Sequence, residues 1–183
     1  MKKLYVVGIL SAIFLPFSAT GTHIYGAQIT ATAKSCQSSV YTITVTSYQD
    51  PGSEAELVNA ILELGFGDPI DVSSATDFSR EIVRYGDDSL SVNKLILEVA
   101  FPGSGEYIIS FREFNRNADV VNIRNSVDTP LYVESKLVID PLLCNSTPQL
   151  SGVGNFLAYS NSTFTQQLGA YDPDGDSLSL ELI

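Results

Sequence analysis

Apolar and polar residues alternate with a period of two along much of the chain. In Val40–Tyr48, VYTITVTSY, the alternation puts Tyr41, Ile43 and Val45 on one face and Thr42, Thr44 and Thr46 on the other. Successive side chains of an extended backbone point to opposite faces, so the pattern predicts a half-buried strand. Val92–Phe101 repeats it, with Leu95, Leu97, Val99 and Phe101 turned inward. Glu106–Phe114 does the same with Tyr107, Ile109 and Phe111, and Thr129–Ile139 with Leu131, Val133, Leu137 and Ile139. Ile24–Lys34 is a further run rich in β-branched residues. Gly, Pro and Asp punctuate the intervals. Many short strands separated by turn residues predict an all-β chain folded as a β-sandwich.

The stretch Phe101–Pro141 organises this reading. Pro102, Gly103 and Gly105 break the chain just before a strand-like run, and Tyr107 follows Gly105 by two positions. This Gly-x-Tyr step is the local arrangement of a tyrosine corner, in which the hydroxyl bonds back to upstream backbone and pins the turn between the sheets of a Greek-key sandwich. The connection that follows carries Asn115, Asn117, Asn122 and Asn125. Asparagines close loops by bonding neighbouring backbone, and that structural role is favoured over a polar recognition surface.

Two stretches break the alternation. Ser53–Glu56 is a capping box followed by Leu57, Ala60, Ile61 and Leu64 at helical spacing, while Val58, Ala60, Leu62, Leu64 and Phe66 alternate as a strand would. The strand reading, from about Ile61, is favoured because Leu64–Asp68 must reach its turn extended. After Ile139 the segment Asp140–Leu150 holds two prolines and no alternation, and residues 141–150 read as a linker. Residues 151–183 are too few for an independent sandwich and read as the truncated start of a second β module, ending in the strand-like run Ser177–Ile183.

Lys2 and Lys3 ahead of the apolar run Leu4–Leu15, with Ala19 and Gly21 behind it, predict a signal peptide over residues 1–21 and hence an exported protein. The run is too short for a transmembrane span, and no membrane insertion is expected after cleavage. The formal net charge of −11 drops by a further two once Lys2 and Lys3 are removed. Such a chain has no electrostatic reason to bind nucleic acid or anionic lipid. Cys36 and Cys144 are the two cysteines, without metal-ligand spacing. Two readings stand for them: a disulfide tying the first strand to the domain's exit, or two free thiols.

Several spaced blocks carry a family resemblance: Thr22–Ile29, THIYGAQI; Glu113–Asn117, EFNRN; Asn125–Glu134, NSVDTPLYVE; Ile139-Asp140-Pro141; and Ala170–Ser179, AYDPDGDSLS. Together they resemble the N-terminal region of very large gliding-motility-associated surface proteins of gliding bacteria. The resemblance implies tandem immunoglobulin-like, PKD-like or cadherin-like modules, exported by a type IX route through a C-terminal sorting domain that this sequence does not contain. Residues 22–140 would be the first module, with further modules of the same polypeptide as neighbours. Phe66-Gly67-Asp68 and Pro102-x-x-Gly105-x-Tyr107 are similar to the PKD pattern, with Pro69 where that pattern usually has Gly.

Asp172, Asp174 and Asp176 alternate across Pro173 and Gly175. Ca2+ takes six to eight oxygens, so three carboxylates supply only part of a shell, and Asp140, Glu113 or Glu181 would have to complete it. Two readings stand: a calcium-stiffened module junction, or an Asp-Gly turn without an ion. His23 is the single histidine, and nothing marks a nucleophile elbow or a catalytic triad. Asn145-Ser146-Thr147 and Asn161-Ser162-Thr163 match the N-glycosylation pattern. The expected role is non-catalytic: a structural or adhesive part of a large cell-surface protein, with a surface glycan or protein as ligand. The alternative is a carbohydrate-binding module accessory to a secreted hydrolase, to which Tyr25, Tyr41, Tyr48 and Tyr132 could contribute.

Overall fold

A computed structural model describes residues 24–52, 60–74, 77–85, 88–114, 116, 120, 122–151, 160–163, 165 and 169–181. The signal-peptide region 1–21, His23, the capping box at 53–56, Asn115 and Asn117 lie outside the described residues.

Among the described residues ten strands follow in chain order: β1 (Ile24–Ala33), β2 (Val40–Gln49), β3 (Ile61–Glu63), β4 (Ile70–Asp71), β5 (Phe78–Tyr85), β6 (Asp88–Ala100), β7 (Gly105–Glu113), β8 (Leu131–Ile139), β9 (Gln149–Ser151) and β10 (Gly169–Tyr171). They form an antiparallel sheet β1-β2-β6-β5, a second antiparallel sheet β4-β3-β7-β8, and a small antiparallel pair β9-β10. The two four-stranded sheets pack face to face as a β-sandwich, so the all-β class is established.

The inward faces follow the alternation. Ala31, Ile43, Val45 and Leu95 from the first sheet meet Leu62, Ile109, Phe111 and Leu137 from the second, and all are fully buried. Full burial of a large aliphatic or aromatic side chain stabilises by about 1.5–3 kcal/mol, and these residues make the chief cohesive layer. Towards the other end of β2 and β6 the same inward positions turn polar: Ser47, Gln49, Ser91 and Asn93 are all buried. Asn93 Nδ2 donates to Gln49 Oε1 at 2.8 Å and Arg80 Nε donates to Ser91 Oγ at 2.8 Å, linking three strands where apolar side chains run out.

At the opposite end sits the corner. The Tyr107 hydroxyl donates to the Gly103 carbonyl at 2.9 Å, and the Phe101 N–H donates to the Ser39 carbonyl at 2.9 Å. The Tyr107 ring packs against Phe101 at 4.8 Å and Phe66 at 5.8 Å between centroids, and Phe101 meets Tyr41 edge-on at 5.6 Å. Gly65 lies beneath this cluster with φ of +79°, and a Cβ there would meet the Ile108 backbone nitrogen at 3.0 Å. A side chain at Gly65 would therefore face both left-handed strain and backbone contact.

The structure departs from the sequence expectation at three places. Ser177–Glu181 is not a strand; the strand that closes on β9 lies earlier, at β10. The edge strand β5 was not marked by alternation. Its Phe78, Arg80, Ile82 and Arg84 share the inward side of the sheet, opposite Leu95, Asn93, Ser91 and Ser89, yet all four are exposed. An edge strand that is not roofed by the opposing sheet has no need of an apolar side. Third, residues 141–150 are not a loose connector: they are fastened to β1, and Gln149 and Leu150 belong to β9.

Candidate functional site

The first candidate region is the seam between β1 and the segment that follows β8. Cys36, in the turn after β1, is joined to Cys144 by a disulfide spanning 108 residues. Just beyond it, Thr147 pairs with the free edge of β1. Its N–H donates to the Ala31 carbonyl at 2.9 Å, and its hydroxyl accepts from the Ala31 N–H at 2.7 Å. The Ser146 hydroxyl accepts from the Ala33 N–H at 3.2 Å. Asn145 Nδ2 donates to the Val138 carbonyl at 2.9 Å. The Asn-Ser-Thr tripeptide is thus a backbone-capping device, each of its three side chains satisfying a strand end or edge.

The aspartate loop docks on this seam. The Ser146 N–H donates to Asp174 Oδ2. Asp172 Oδ1 accepts from the backbone N–H groups of Asp174 at 2.8 Å and Asp176 at 3.3 Å, and Gly175 turns the chain with φ of +88°. The Asp172 and Asp174 carboxylates therefore serve as acceptors for backbone donors. Among the described residues no three His, Cys, Asp or Glu side chains are grouped to hold a metal ion. Two of the residues expected to complete a shell have places of their own. Asp140 Oδ1 accepts from the Leu142 N–H at 2.8 Å. Glu113 is buried at the far end of β7, whose nine residues run about 25 Å. The charge of the aspartate loop reaches Tyr41, whose phenol is held above its ordinary pKa of 10.0, first by burial and then by Asp174.

The other predicted structural residues have distinct places. Gly105, with φ of +157°, opens β7 beside the Tyr107 ring. Asn125 is left-handed, with φ of 52° and ψ of 55°, and precedes a short 3-10 turn at Ser126–Asp128. Its carbonyl accepts from the Asp128 N–H at 2.9 Å, while its side chain makes no cap bond. The loop is closed through its backbone conformation, which Asn tolerates better than most residues. Arg112 lies 5.8 Å from the centroid of the Tyr132 ring. Hydrogen bonding to Glu134 raises the Tyr132 pKa, and the Ser73 hydroxyl and N–H lower that of Asp71.

A second region was not marked in the sequence: a cleft of about 510 Å3 on the outer face of the sheet β1-β2-β6-β5. Thr30, Thr32, Thr44 and Thr46 line its floor, Glu81 and Lys94 stand on the β5 and β6 side, and Gln149 and Leu150 of β9 form a wall. Register sets the threonines in ranks, Thr30 opposite Thr44 and Gln28 opposite Thr46. Gln28 Nε2 donates to the Tyr48 hydroxyl at 3.0 Å, and Gln28 Oε1 is buried without a hydrogen-bond donor. The alternation of β2 foretold the threonine face but not the wall, which arrives from residues more than a hundred positions away.

The chain matches no family model, no curated protein and no solved structure. Among the described residues no helix is long and apolar enough to cross a membrane.

Proposed function

We propose that this chain is a non-catalytic, load-bearing module of an exported cell-surface protein, with a structural or adhesive role in surface attachment or gliding. The observation that carries the reading is the Cys36–Cys144 disulfide, which links the first hairpin turn to the segment beyond the last strand of the sandwich. Disulfides form and persist in oxidising compartments, so this one supports export. The seam around it is built for cohesion: the carboxylates of the aspartate loop and the hydroxyls of Ser146 and Thr147 bond backbone. Adjoining modules of the same polypeptide are its expected neighbours.

The test is to label intact source cells with an antibody against the sandwich, and to compare attachment and surface movement with a strain lacking residues 22–151. Surface labelling together with loss of attachment or movement supports the role. A chain found only inside the cell, or a deletion strain that behaves as the parent does, refutes it.

A further inference from the structure

We infer that the outer-face cleft of the sheet β1-β2-β6-β5 binds a neutral oligosaccharide, the contact by which this module would adhere. The inference rests on the adhesive reading above and deepens it. Its first support is the middle of the cleft floor. There β2 and β6 are hydrogen-bonded to neighbours on both sides, and Thr147 occupies the β1 edge at Ala31, so an extended peptide finds no strand edge to pair with at those places. Recognition falls to side chains.

Those side chains match a polyol. Each threonine hydroxyl is both donor and acceptor, as a sugar hydroxyl is. The pairs Thr30–Thr44 and Gln28–Thr46 repeat across two strands, with Cβ atoms about 5 Å apart across the ladder and about 7 Å apart along a strand. That grid lets neighbouring hydroxyls of one sugar ring find separate partners. Val83, Val92 and Leu150 give apolar spots for the C–H faces of the ring. The orphaned Gln28 Oε1 adds an acceptor that a ligand hydroxyl satisfies once the amide turns towards the cleft; leaving such a group unpaired costs about 1–3 kcal/mol.

Charge narrows the class. Among the described residues Glu81 and Lys94 are the charged ones lining the cleft, one of each sign, in a chain of net charge −11. A locally neutral cleft on an acidic molecule repels anionic polymers and leaves an uncharged glycan as the fitting occupant.

The test uses the full chain, purified with its disulfide intact, titrated calorimetrically with neutral dextran, mannan and β-glucan oligosaccharides, and with heparin and alginate oligosaccharides as anionic probes. The Thr30→Val/Thr44→Val double variant removes two facing hydroxyls with little change of shape, and Lys136→Ala on the opposite sheet is the control. Binding of a neutral oligosaccharide that weakens by about tenfold or more in the double variant, at an unchanged denaturation midpoint, and stays intact in Lys136→Ala supports the inference. No heat with any neutral probe overturns it, as does binding indifferent to the double variant or confined to the anionic probes. If the double variant fails to fold, Lys94→Ala is titrated instead, with the same loss expected and an unchanged affinity overturning the inference. Surface labelling reads the adhesive role separately: a silent titration on a surface-exposed chain rejects only the ligand, while binding by a chain retained inside the cell rejects only the role.

Discussion

Tyr107 shows how one side chain can be both anchor and filler. Its ring packs among Phe66 and Phe101, while its hydroxyl reaches back four residues to the Gly103 carbonyl. Tyr107→Phe keeps the ring and removes the bond, so equilibrium urea denaturation should show a loss of about 1 kcal/mol. Gly65→Ala should cost more, about 2 kcal/mol or above, because left-handed strain adds to a Cβ pressed on the Ile108 backbone. The corner was legible in the sequence because its donor and acceptor are four residues apart, within one turn. The aspartate loop was legible only in part. Its internal bonds follow from local spacing, but the partner of Asp174 is Ser146, twenty-eight residues away, and no local pattern announces it.

Among the elements, β1 depends most on what borders it. It is an edge strand, and an open edge invites pairing with other chains. Thr147 covers that edge with a backbone bond and a side-chain bond to the single residue Ala31. In Thr147→Val the buried Ala31 N–H loses its acceptor, which should lower stability by about 1–3 kcal/mol in urea denaturation. Hydrogen exchange at Ala31 should accelerate in the same variant, and unchanged protection would show that the contact does not close the edge. Alternation revealed β2, β6, β7 and β8 because each buries one side against the opposing sheet, while β1 was marked by its β-branched residues. Alternation missed β5, whose inward residues include Arg80 and Arg84 and lie beyond the cover of the second sheet. It also missed β10, which is three residues long and too short to show a period. The cleft was half legible: its floor is the polar side of β2, but its wall is placed by tertiary folding alone.

For the molecule as a whole, two bulk measurements follow. Cys36→Ala/Cys144→Ala should lose up to about 4–5 kcal/mol of stability by chain entropy, read as a lower urea midpoint that reducing agent no longer shifts. Alkaline titration should expose Tyr41. Its folded pKa lies above the unfolded value of 10.0, so the folded state keeps its proton where the unfolded state releases one. Stability is then constant below pH 10.0 on this account and falls as pH rises through the window above it. In Tyr41→Phe the urea midpoint should decline less across that window, and an equal decline would assign the effect to other groups.

The bridge between Cys36 and Cys144 has a mechanical meaning for a chain held by its two ends. A tension applied before β1 and after β10 passes from one sulfur to the other, bypassing the 108-residue span between them. That span, about 380 Å of extensible backbone at roughly 3.5 Å per residue, stays locked in a covalent ring however hard the tether is drawn. Only the short arms outside the ring can lengthen, so the module behaves as a knot in the rope and pays out its hidden slack only after a reductant opens it.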